Sequence, residues 1–175
     1  MVHVGKLPED ALSFKYAKNS AYTDCFFVDI SRKVTFEEFI ESFYTTSLFK
    51  VERILLSVIV RKPSSDEDAK QLSKGIIKRF AVWTVEQRLS NQVLLCDFTN
   101  NTRSWFMIEH QGGTQTDVTR LYFGSVVVPK SVSELGHASF GYLFHLLSGF
   151  HNVYSRALLR AAVVQLEKKG VDEYS

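Results

Sequence analysis

The 175-residue chain is 45% hydrophobic and 13% aromatic, with 14 Phe, 7 Tyr and 2 Trp, a composition that suits one globular domain with a substantial core. Its 21 basic and 19 acidic side chains leave a net charge of +2, so nothing electrostatic points to nucleic acid or an anionic membrane as partner. Two cysteines, Cys25 and Cys96, without a CxxC pair argue against a disulfide framework or a cysteine metal site and fit buried thiols in a reducing compartment.

Residues 1–20 lack periodicity and read as an irregular or partly helical lead-in to a body spanning 21–169. No basic region followed by an apolar run opens the chain, so no secretory signal is expected and the cytoplasm is the simplest location. Tyr22 to Ile30 reads as a strand, with Phe26, Val28 and Ile30 on one face and Asp29 on the other. Thr35 and Glu38 have the spacing of a capping box, and Val34 and Phe39 that of a hydrophobic staple. Phe36, Phe39, Ile40 and Phe43 then recur at helical spacing. A second helix is expected over Leu48–Val60 with Val51, Leu55 and Val58 inward. Pro63 closes it, Ser64 with Glu67 caps a short polar helix, and Gly75 ends that helix.

Four strands follow. Phe80–Arg88 alternates Val82, Thr84 and Glu86 against Trp83, Val85 and Gln87. Val93–Phe98, Arg103–His110 and Thr119–Val128 come next, separated by Ser90-Asn91, Asn100-Asn101 and Gly112-Gly113, until Pro129 stops the ladder. Such short connections imply antiparallel neighbours. One further strand is expected in Lys74–Phe80 or near Gly112–Asp117. From about Ser139 to Lys169 the period changes to that of one long helix, ~45 Å at the usual rise. Its apolar stripe runs through Leu143, Leu146, Leu147, Phe150, Val153, Tyr154, Ala157, Leu158, Ala161 and Val164. Its polar side carries His145, Ser148, Asn152, Arg156 and Arg160, charges that argue against a membrane span. This order of elements predicts an α+β fold: a curved antiparallel sheet closed by a long C-terminal helix, an arrangement that leaves room for an apolar cavity.

Tyr22-Thr23-Asp24-Cys25-Phe26, Arg103-Ser104-Trp105-Phe106, Thr119-Arg120-Leu121-Tyr122-Phe123-Gly124 and Gly149-Phe150-His151, set in this element order, resemble the START and pollen-allergen-like superfamily, SRPBCC, whose fold is called the helix-grip. The resemblance runs from about residue 20 to 168. It is narrower to a bacterial branch without an assigned activity, whose members also occur fused behind nucleotide-binding reductase domains. It implies a sheet wrapped around the C-terminal helix and a hydrophobic cavity for lipids, polyketides or other apolar ligands. It carries over no activity, and fold membership does not establish function.

No nucleophile elbow, P-loop, HExxH or dinucleotide-binding glycine motif is present, and no cofactor or metal is expected. His145 and His151, six apart on a helix, point in different directions. The residues put forward for ligand binding are Trp83, Trp105, Met107, Arg103, Arg120, His151 and Tyr154. The aromatics and Met107 suit a cavity wall with polar handles, although ordinary core packing is the plainer reading. The arginines suit a ligand carboxylate, against a salt-bridged surface role. His151, flanking the apolar stripe, suits a hydrogen bond or a general base, against a structural histidine. Glu86 and Glu109 are strand carboxylates for which nothing indicates a meeting, and Asp24 opens the first strand. The leading expectation is a soluble protein that binds a small hydrophobic ligand. An enzyme of the same fold, such as a cyclase or aromatase, and a non-catalytic homo-oligomeric interaction protein are the alternatives.

Overall fold

Side chains that alternate across extended backbone build most of this molecule. The computed structural model describes residues 1–19, 21–59, 61–112, 117–129, 131–132, 138–139 and 142–172, with side chains except at 55–57, 59, 131–132, 138–139, 142–151 and 170–172. The first half contains β1 (His3–Val4), α1 (Phe14–Ala17), β2 (Tyr22–Thr23), β3 (Phe26–Ile30), α2 (Phe36–Tyr44), α3 (Ser47–Ile59) and α4 (Asp66–Ser73). The second contains β4 (Arg79–Phe80), β5 (Trp83–Arg88), β6 (Gln92–Asp97), β7 (Thr102–Gln111), β8 (Val118–Val127), β9 (Ser131–Val132), β10 (Ala138–Ser139) and α5 (Tyr142–Asp172).

The architecture is α+β. Seven strands run in the order β1-β3-β8-β7-β6-β5-β4, and β2 adds to β8, giving an eight-stranded curved antiparallel sheet beside the long C-terminal α5. β9 and β10 form a separate two-stranded ladder. Turn chemistry fixes the hairpins. Between β6 and β7, Asn100 takes φ 63° and Asp97 Oδ1 accepts the N–H groups of Asn101 and Thr102 at 3.0 and 3.2 Å. The expected strand 80–88 is split: Ala81 turns at φ 50° and Phe80 pairs with Trp83, so β4 occupies part of the 74–80 stretch where a further strand was expected. Residues 113–116, the other such stretch, lie outside the described residues.

The two faces of the sheet carry different cores. On the inner face, Phe26, Val28, Leu95, Phe106, Leu121 and Phe123 form one cluster with residues of α2, α4 and α5. α2 lies over the centre of the sheet. Phe43 meets Phe106 and Phe123 at ring distances of 4.7 and 4.8 Å, and Phe39 and Tyr44 meet Phe106 at 5.8 and 5.5 Å. The predicted capping box starts α2: Thr35 Oγ1 accepts the Glu38 N–H at 3.2 Å, and the Glu38 carboxylate accepts the Thr35 N–H at 2.6 Å. The box of α4 falls one residue later than expected, on Ser65 and Asp68, because Asp68 reaches the Ser65 N–H at 2.7 Å.

The rotation of two helices departs from the sequence reading. On α3, Val51 and Val58 are 57% and 74% exposed, not inward, while Phe49 is buried. Phe49 meets Tyr44 edge-on at 4.8 Å, and Arg53 reaches Asp66 at 2.8 Å, so these contacts set the helix's orientation. On α5 the described core stripe is Ser155, Leu158, Leu159, Ala162 and Leu166, whereas Val153 and Val164 are exposed. Apolar side chains on α5 exceed what the core covers.

The outer face is dry at its centre, because residues 7–16 lie across it. Ala11 and Leu12 are buried with Cys25, Leu94, Trp105, Met107 and Tyr122. Gln92 clasps this segment. Its Oε1 accepts the Leu12 N–H at 3.1 Å and the Trp105 Nε1–H at 3.0 Å, and its Nε2 donates to Asp10 O at 3.1 Å.

Candidate functional site

Strand alternation on β7 and β8 sends Arg103, Trp105, Met107 and Arg120 to the outer face. Trp105 and Met107 are core residues beneath the N-terminal segment, on the side of the sheet away from α5, and line no space between sheet and helix. Arg103 is tied down. Its Nε lies 3.1 Å from both Tyr16 Oη and Glu86 Oε2, and its Nη1 donates to Asn100 O at 2.5 Å. Glu86 is the extra residue of a bulge between Val85 and Gln87, which aims its carboxylate outward. Burial alone would raise Glu86, but hydrogen bonds from Lys15, Tyr16 and Arg103 outweigh it and hold the carboxyl below its usual range. The Glu86 carboxylate is therefore fully engaged, and the cluster anchors α1. An open depression of about 500 Å³ adjoins it.

Arg120 grips Asp29 with two hydrogen bonds, 2.7 and 2.8 Å, and stacks over Phe27 at 4.4 Å. The Arg120 hydrogen bond holds Asp29 below the usual carboxylate range. Glu109 accepts the Tyr122 hydroxyl at 2.9 Å, so Glu86 and Glu109 are engaged separately. Asp24 Oδ1 accepts the Ser125 N–H at 2.7 Å.

Two candidates stand on the inner side. Trp83 is half-buried against the main cluster. Tyr154 donates to Glu52 Oε2 at 2.5 Å, joining α5 to α3. Burial pushes the Glu52 carboxyl above its usual range, with the Tyr154 hydrogen bond acting against it. His151 belongs to α5, but its side chain, like that of His145, lies outside the described residues. The six candidates whose side chains are described therefore do not converge on one site. Among the described residues, no group of His, Cys, Asp and Glu could hold a metal ion, and no helix is long and apolar enough to cross a membrane.

Under α2 the sheet is filled by aromatic rings. Open space lies at the β3 edge, where α5 passes the N-terminal strand: a groove of about 570 Å³. Its apolar lining is Val28 of β3, Met1 and Val2 ahead of β1, and Ala157, Val163 and Val164 of α5. Arg156, Arg160 and Glu167 complete the wall. Positions 156, 160, 163, 164 and 167 recur at helical spacing, so one stripe of α5 forms that wall while the adjacent stripe fills the core. Arg156 sits over the Phe26 ring at 5.7 Å.

The sequence reading assigned Arg156 and Arg160 to the solvent side and did not select them. Their signal was available in outline: Ala157 and Val164 interleave with them beyond the width of a core stripe. The partner wall was not, because nothing in residues 1–20 indicates a strand against β3. No protein-family model, no curated protein and no solved structure matches this chain.

Proposed function

We propose that this chain is a binding protein of the helix-grip type that holds a small, largely apolar molecule in the groove between β3 and α5. The groove itself carries the reading. Its volume of about 570 Å³ falls within the range of small-molecule sites, roughly 300–1,000 Å³. Apolar side chains from two walls line it, with a few polar groups along one side, the composition that such sites use to combine affinity with orientation. The helix-grip assignment is supported by the long terminal helix packing on β3 and by the helices α2, α3 and α4 inserted between β3 and β4.

A fluorescent apolar probe titrated into the purified protein tests this reading. Saturable binding is expected, and it should be lost on Ala157→Phe, which fills the groove from an exposed helix position. A probe that binds without saturation, or equally well to Ala157→Phe, would remove the basis of the reading. Native mass spectra before and after organic extraction supply an independent check, with a bound small molecule expected only before extraction.

A further inference from the structure

We infer that the molecule held in this groove is an amphiphile with an anionic head group, gripped by Arg156 and Arg160. The inference rests on the reading of the groove as an apolar-ligand site and specifies what that ligand carries.

Arg156 and Arg160 stand four residues apart on α5, about 6 Å along its axis, so their guanidiniums share one face. Both are exposed and both line the groove. Their situation contrasts with that of five other arginines. Arg32, Arg53, Arg103 and Arg120 each have a carboxylate partner, in Glu38, Asp66, Glu86 and Asp29. Arg88 caps α4 by donating to Leu72 O and Ser73 O. Among the described residues, Arg156 and Arg160 have no carboxylate partner, and two like charges at this spacing repel.

An anion placed between them relieves that repulsion. A carboxylate or phosphate monoester suits the planar, forked donor sets of two arginines. Contact with the Phe26 ring at 5.7 Å holds Arg156 toward the β3 wall. The only acid on the groove wall is Glu167, seven residues beyond Arg160 and about 10 Å along the axis. Its charge sets the polarity: head group at the Arg156–Arg160 end, apolar body along Val28, Val163 and Val164.

Competition against a bound fluorescent probe, with decanoate, decyl phosphate and 1-decanol as competitors, tests this assignment. At low salt the anions should compete at least about tenfold more tightly than the alcohol, the scale of a hydrogen bond to a charged group. Their advantage should shrink at high salt, where exposed charges are screened. The double variant Arg156→Gln/Arg160→Gln should bring the anions to the alcohol's affinity, both measured on that variant. A thermal midpoint matching the parent's confirms that the variant remains folded. Whichever anion shows the larger loss identifies the head group. Equal competition by alcohol and anions, or an anion preference that survives the double variant, overturns the head-group inference while leaving the groove reading intact. If no competitor displaces the probe, the groove reading fails and this inference fails with it.

Discussion

Glu52 has a costly position. Its carboxyl sits at the α3–α5 contact with the Tyr154 hydroxyl on it, and burial raises its pKa. A carboxyl whose folded-state pKa is raised keeps its proton longer in the native state than in the unfolded chain. The native state then binds more protons within the window that opens at the ordinary glutamate value and closes at the folded one, so stability falls as pH rises through that window. Above it the penalty is constant. Glu52→Gln keeps an acceptor for Tyr154 and removes the charge. It is expected to raise the thermal midpoint near neutral pH and to leave it unchanged near pH 4, as melts across that pH range would show. Gly124 is constrained differently. A Cβ there would lie 2.5 Å from Asp24 O and 3.1 Å from the Trp105 ring, where the chain between β2 and β3 runs alongside β8. Gly124→Ala forces the backbone apart and should cost about 1–3 kcal/mol, read as a shift of the denaturant midpoint.

The N-terminal segment is held as an element through one side chain. Gln92→Ala strands two donors, Leu12 N–H and Trp105 Nε1–H, in a place where both are buried or nearly so. The expected loss is about 2–4 kcal/mol, with amide exchange accelerated in residues 7–17 before the rest of the chain. Exchange rising evenly over the whole chain would contradict a separate clasp. That segment also marks the limit of what was legible in the sequence. Alternation identified β6, β7 and β8 and the pairing of Trp105 with Met107 on one face. The spacing of Thr35 and Glu38 identified the start of α2. Alternation says which residues share a face, but not which side of the sheet receives α5 and which the lead-in. Residues 1–20 carry too little periodicity to reveal that they cover one side. Helical spacing likewise showed that α3 and α5 have apolar stripes. Their rotation is decided by contacts with other elements, Arg53 on Asp66 and Glu52 on Tyr154, which no local pattern encodes. The groove was missed for the same reason, since its walls come from β3, the N-terminal strand and α5.

At the scale of the whole molecule, the first and last thirds of the chain form one neighbourhood. β3 sits between β1 and β8, and α5 closes over it. Arg32 Nη2 donates to Leu166 O at 3.1 Å, Gln165 to Thr45 Oγ1 at 2.6 Å, and Lys169 pairs with Glu41 at 2.8 Å. Leu158, Leu159 and Leu166 are buried in the main core. At about 1.5–3 kcal/mol for each side chain, their removal takes away on the order of 6 kcal/mol, comparable to the entire stability of a typical protein. A chain ending at Asn152 should show no cooperative melt and no near-ultraviolet dichroism. The two-faced sheet also has an optical consequence. Its two tryptophans lie on opposite sides, Trp105 sealed and bonded to Gln92, Trp83 half-buried against the aromatic cluster. Replacing either with phenylalanine leaves a single indole whose emission colour monitors one surface alone, so unclasping of the amino-terminal strap and melting of the interior become separable signals in one cuvette.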